Sequence, residues 1–453
     1  MKRDRYFISL IVLSMIAIGC GDGAAAGSGG TGGDGGSPGA GGSGAVGGEG
    51  GDRGDPGSPA LDPLQTMPRY AVLSTDFSSS SIAMLDETFE VIDDSWLNSG
   101  TTYPGLVATL SGDVVLPTRQ AGDSTFAVVD RFFTDVVTRF FVPSGNLNGQ
   151  VRTQGEVGDS GFSSNPQDVI FVGAQSAWVP RYESNLNPAA APENQGNDLF
   201  EINPTNMLAT GRRIDLSSLN VTAMAGENEV EVFARPSRGV LIGSTIAIGL
   251  DRISAAFDAA GTGMVGLVNF ENETVDGLEL PGLKSCGNAV PVPGAPTKIA
   301  VACVGFAQPF GDEPQVRAST GIAIIDVTDG IGTIERVWRV ADDPDSAIAV
   351  NFVVALDEKR VLGVASGDFG SRPDVLHLID LETGAQSVVH ESAGSFVLGV
   401  SAYDPDREML YVPDASANAV VELAVEQTGF TELRRVQIAP WLGLPPNQVH
   451  LLE

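Results

Sequence analysis

The sequence predicts an all-β chain: a seven-bladed β-propeller, closed by its C-terminal strand pairing into the first blade. Three observations carry this. From residue 68 onward, short apolar and β-branched runs alternate with Gly, Pro, Asn and Asp turns, and helical periodicity is nearly absent. A strand–turn–strand unit recurs about seven times. The final text, PNQVHLLE at 446–453, reads like the start of an internal unit, NPQDVIFVG at 165–173.

The clearest part of the unit is an apolar run ending in Asp or Asn. It appears as SIAMLD at 81–86, TFAVVD at 125–130, DLFEIN at 198–203, VGLVNF at 265–270, GIAIID at 321–326, VLHLID at 375–380 and AVVELA at 419–424. An Asp or Asn at the strand end opens a turn by bonding backbone two residues on. Upstream lies a second strand: GDVVLPTRQAGDS at 112–124, SAWVPRYESN at 176–185, IAVACVG at 299–305, RVLGVASG at 360–367 and MLYVPDASAN at 409–418. Several carry a Val-Pro or Leu-Pro step, which suits only a sheet edge or a bulge. Before these stands an inner strand, as in QDVIFVGAQ at 167–175 and FVLGVSAYDPD at 396–406. With an outer strand, the unit has four, the blade of a propeller. Insertions at 185–197 and 306–320 are expected to emerge on one face. The first unit, from Tyr70, lacks an inner strand, and the C-terminal strand is expected to supply it. This closure resembles that of YVTN-type and WD-type propellers over residues 68–453. The YVTN tetrapeptide and the Trp-Asp signature are both absent.

Residues 1–19 are expected to be a signal peptide. Lys2, Arg3 and Arg5 precede an apolar stretch, Phe7 to Ile18, too short to span a bilayer. Ala17-Ile18-Gly19-Cys20 resembles the lipobox of bacterial lipoproteins, departing from it at Ala17. The resemblance implies that Cys20 is lipidated, and Gly21 after it favours the outer membrane. The other reading is ordinary cleavage that leaves a free thiol. Residues 20–67 then form a Gly-rich tether without apolar period, a random coil reaching roughly 35 Å over about 40 residues.

Formal net charge is −31, which repels both phosphate backbones and anionic lipid surfaces. Nucleic acid is therefore no partner, and membrane attachment must run through the lipid. Beyond Cys20 the cysteines are Cys286 and Cys303, flanking what reads as a hairpin of neighbouring strands. A disulfide there stabilises by roughly 3 kcal/mol; a pair of reactive thiols is the other reading. The three histidines, His377, His390 and His450, form no metal-ligand spacing, and no Gly-x-Ser-x-Gly elbow is present. Acidic loops at Asp342-Asp343-Pro344-Asp345 and Asp368 offer oxygen ligands to Ca²⁺ without the EF-hand spacing. No other cofactor is expected. Asn165, Asp168, Asn351 and Asn447, near inner-strand starts, are expected to form a polar channel mouth.

Two functions fit this text. One is a monomeric, lipid-anchored propeller that binds an envelope protein, peptide or glycan, periplasmic or surface-exposed, without catalysis; a passive envelope component is its limiting case. The alternative is a lactonase-like propeller hydrolase with a metal in the central channel.

Overall fold

The computed structural model describes residues 63–102, 106–154, 162–309, 312–339, 349–366, 372–427 and 429–452. The expectations for Cys20, the tether up to residue 62, Asp342–Asp345 and Asp368 lie outside them; within the tether's last residues Leu64 is buried in the cluster of Ala71, Leu73 and Phe126, so the folded body starts before residue 68. Almost every element is a strand. The strands form seven four-stranded antiparallel sheets and one three-stranded sheet. The seven stand around one axis as a β-propeller, in chain order.

Within a blade the middle two strands are covered on both faces by neighbouring blades. Tyr70–Thr75, Ser80–Leu85, Thr245–Leu250 and Met409–Asp414 are buried at every position. A strand covered on both sides reads as a continuous apolar run, which explains the text of the repeats. The outermost strand is half solvated and alternates, as in Ile331–Arg339. Seven apolar clusters fill the spaces between the sheets.

The closing strand is Pro446–Leu451. It supplies the inner strand of the first blade, with Tyr70 opposite Leu451 and Val72 opposite Val449. The Thr75 peptide donates to the Pro445 carbonyl at 3.0 Å, and the Leu452 peptide to that of Arg69 at 2.7 Å. The seam to the seventh blade is locked beside it. Arg69 forks onto Asp404 at 2.9 and 3.0 Å, and the Tyr70 hydroxyl donates to the same carboxylate at 2.7 Å. Burial pushes the Asp404 carboxyl up, but Arg69 and Tyr70 outweigh it and hold it below the usual range.

Strand-end Asp and Asn residues open turns as expected. Asp86 Oδ1 accepts from the Thr88 and Glu90 peptides at 2.8 and 3.0 Å. Asp380 Oδ1 accepts from Glu382 and Thr383, both at 2.8 Å. The second blade is offset from this reading. TFAVVD forms its second strand, Thr125–Asp130, and the third is Val136–Phe141. Asp130 opens no turn; it accepts from the Ser111 peptide and hydroxyl. GDVVLPTRQAGDS accordingly holds the inner strand, cut to Val114–Val115 because Pro117 has no N–H to continue the ladder.

Pro180 and Pro413 lie in second strands that have a neighbour on each side. Each sits where inner-strand pairing lapses. Ile170 pairs with Trp178 and the next bridge is Pro166–Arg181. Ala402 pairs with Tyr411 and the next is Leu398–Asp414. No ladder bond is lost at such irregularities.

The insertions at 185–197 and 306–320 both join second to third strands, so they share a face; one carries a 3₁₀ turn, Pro192–Asn194, the other a helix, Glu313–Ser319. Connections between blades emerge on this same long-loop face. One of them carries Val221–Ala225 and Asn228–Phe233, which form an unforeseen three-stranded sheet with Ile253–Ser254 from the second-to-third-strand loop of the fourth blade. The opposite face carries tight turns, such as those at 243–244 and 293–294.

Candidate functional site

The inner strands enclose a cavity of about 790 Å³ on the propeller axis. It runs from Arg238 and Gln448 to the tight turns at Gly243, Gly294 and Pro405. Its charge inverts that of the chain. The whole protein has 57 acidic against 26 basic residues. Among the described residues lining the cavity stand Arg119, Arg238, Lys298 and His450, and no Asp or Glu.

Arg238 lies near the start of the fourth blade's inner strand, Pro236–Ile242. Its Nη1 donates to the Leu116 carbonyl. Asp168 Oδ1 is 3.9 Å away, beyond hydrogen-bond reach. The other guanidinium donors have no partner among the described residues, and the side chain is 13% exposed. Burial pulls its pKa down, Asp168 pulls it up and Arg131 pulls it down again. Asp168 itself is fully buried. It accepts from the Thr118 peptide and hydroxyl at 2.9 and 2.6 Å and from the Gly239 peptide at 3.1 Å. Burial still pushes its carboxyl above the usual range, against Arg238 and Thr118.

The closing strand supplies Gln448 and His450, two apart and so on one side of it. Gln448 Oε1 accepts from the Leu116 peptide at 3.0 Å and its Nε2 donates to the Leu116 carbonyl at 3.3 Å. His450 is 8% exposed, and its Nε2 is buried without a partner. Burial, then Arg238, lowers the imidazole pKa to about 4, so the ring is neutral at physiological pH. Lys298 is committed elsewhere, to Glu335 at 2.9 Å and Glu358 at 3.0 Å.

The residues expected at a channel mouth stand away from this cavity. Asn165, Asp168, Asn351 and Asn447 all stand near the heads of inner strands on the long-loop side, yet none lines the cavity. The side chains of Asn165, Asp168 and Asn351 make structural bonds, and Asn447 bonds through its backbone. The Asn165 peptide donates to Asp135 at 2.7 Å, and its side-chain oxygen accepts from Gln167 at 2.7 Å. Asn351 bonds Ser366, and the Asn447 carbonyl accepts from the Val400 peptide at 2.8 Å. Asp168 alone reaches the cavity, through Arg238. The sequence signal for the true lining was the polar pair in PNQVHL, an alternation that says which side of the strand is polar only once the strand is placed in the ring.

His390 Nε2 stands 2.8 Å from Asp414 Oδ2, both buried, and neither His390 nor His377 lines the cavity. Cys286 and Cys303 are joined by a disulfide within the fifth blade, both fully buried. No group of three His, Cys, Asp or Glu stands together among the described residues. The cavity lining, one imidazole and no carboxylate, does not fit a metal ligand set.

No protein-family model matches the sequence, and no curated protein matches it. Solved structures do match the fold. A protein from Lactobacillus plantarum is 12% identical with TM-score 0.54, over 86% of this chain and 100% of that one. The periplasmic gluconolactonase of Pseudomonas aeruginosa is 12% identical with TM-score 0.53, over 86% and 99%. A Bacteroides uniformis protein proposed to be a 6-phosphogluconolactonase is 12% identical with TM-score 0.52, over 85% and 99%. At this identity the likeness is one of fold.

Proposed function

We propose that this chain is a lactonase-like hydrolase, tethered to the cell envelope through a lipidated Cys20, that takes its substrate in the axial cavity. One observation carries the reading: His450, a neutral imidazole with no protein partner, in a cavity large enough for a small sugar ring. A neutral imidazole can accept a proton from water as the water adds to a ring-ester carbonyl. The C–O bond then breaks, and the proton passes to the leaving ring oxygen, giving a hydroxy acid. The shared fold with a gluconolactonase makes sugar lactones the first substrates to test. The reading needs no metal ligand.

The test is proton release from glucono-δ-lactone and its 6-phosphate by the purified full chain. Turnover is expected well above the spontaneous rate, falling by about 10²-fold or more in His450→Phe. The rate should stay level from neutral pH down to about 5 and fall near pH 4, where the imidazole takes up its proton. Spontaneous rates with both lactones would refute the hydrolase. If lactones bind without being opened, the non-catalytic display module drawn from the tether takes its place.

A further inference from the structure

We infer that the axial cavity is an anion pouch entered from the tight-turn face, in which Arg238 holds a carboxylate or phosphate. The inference rests on the axial cavity being the working site, but not on hydrolysis.

The charge of the lining is the first support. In a chain of net charge −31, a cavity whose charged lining residues are Arg119, Arg238 and Lys298, with no carboxylate, is not a sample of the surface. Of those cations, Lys298 is neutralised by two glutamates. Arg238 differs: it is mostly buried, gives one hydrogen bond to a carbonyl and leaves its remaining donors unpartnered. Asp168 balances its charge from 3.9 Å but spends its own oxygens on Thr118 and Gly239. Those donors are not shut away from solvent, so they stand free toward the cavity, where an oxyanion can accept two of them in parallel. The low pKa of His450 comes first from burial and then from the Arg238 charge, so the ring adds no second positive charge beside Arg238.

The direction of entry follows from where the cavity lies between the two faces. On the long-loop side, inner-strand heads are bonded directly across junctions. Val400 donates to the Asn447 carbonyl, Leu116 to Gln448, Thr118 and Gly239 to Asp168, and Arg238 to the Gly287 carbonyl. Gly399 sits so close to Asn447 that a Cβ there would stand 1.9 Å from its carbonyl oxygen. The cavity begins below these bonds and ends at the tight turns. Its exposed rim residues Gly243, Gly294 and Pro296 lie at those turns, so the cavity meets solvent on the tight-turn face.

Calorimetry on the full chain with inorganic phosphate, gluconate and uncharged methyl glucoside tests the inference. Phosphate or gluconate should bind, and which of the two binds tighter distinguishes the anion; methyl glucoside should bind at least tenfold more weakly than the better anion. Arg238→Met should weaken anion binding at least tenfold. Arg238→Met/Asp168→Asn removes both charges, so a folded variant remains if the single one fails. Unchanged anion binding in the folded double variant overturns the pouch, as does equal binding of methyl glucoside. Pro296→Trp, at the exposed tight-turn rim, should slow association at least fivefold by stopped flow; an unchanged rate overturns the entry face. Anion binding without lactone turnover would leave the pouch standing and remove the hydrolase. Lactone turnover with no anion binding would do the reverse.

Discussion

Two buried groups with opposite titration logic stand near the inner strands. His450 favours its neutral form in the fold, with a pKa of about 4 against roughly 6.5 unfolded. Its contribution is intact above pH 6.5 and is lost as pH falls toward 4, by about 3 kcal/mol. Asp251 is also buried, and burial raises its carboxyl to about 6, against the pull of Tyr182, Arg235 and the Gly287 peptide. Here the neutral acid is the favoured form. Its cost is absent below about pH 4 and complete above pH 6, so stability falls as pH rises. Asp251→Asn should therefore stabilise at pH 7.5, by up to about 3 kcal/mol, and do nothing at pH 4. Urea unfolding at both pH values checks this; an equal shift at both would show that packing, not charge, is what changed.

At the scale of elements, the blades are joined by a recurring polar clamp at the head of the third strand. Asp135 accepts from the Asn165 peptide at 2.7 Å, Asn197 from Arg235 at 2.8 Å and Thr320 from Val350 at 2.9 Å. Asp374 takes three peptides, of Phe396, Val397 and Leu398, at 2.8, 2.7 and 3.0 Å. Each ties one blade to the chain entering the next and satisfies buried N–H groups that no ladder reaches. The closing strand is the clamp made from a whole element. It pairs with Tyr70–Ser74 on one edge, and Val400 bridges Gln448 on the other. Truncation after Pro445 should leave the first blade with an open inner edge. The expected result is loss of the single cooperative unfolding transition and aggregation at micromolar concentration. A truncated chain that stays monomeric with an unchanged melting temperature would contradict the closure.

For the whole molecule, charge and tether act together. A strongly acidic body does not adhere to an anionic membrane, so the proposed envelope attachment depends on the lipid at Cys20. Cys20→Ser should move the protein from the membrane to the soluble envelope fraction without altering its melting temperature, read by fractionation and scanning calorimetry. Retention at the membrane would point to a protein partner as the anchor.

The repeat was legible because strands buried on both faces must be apolar throughout, and because Asp and Asn turns act locally. TFAVVD misled because an Asp at a strand end serves a turn or a neighbouring blade equally well; only the Ser111 contact of Asp130 decides. Ring closure was legible from an inner-strand text at the C-terminus and a missing one at the start. The cavity was not. Asn165, Asp168, Asn351 and Asn447 were polar at the right ends of the right strands, but Asn165 and Asp168 bond across to the preceding blade and Asn351 bonds Ser366 within its own. Arg238 and His450 meet across more than two hundred residues because seven sheets share an axis. Local pattern thus determines blades, turns and the closing strand, since each depends on neighbours in the chain. Which side chains face the channel depends on how separate sheets stack, and that long-range geometry is written in no single segment.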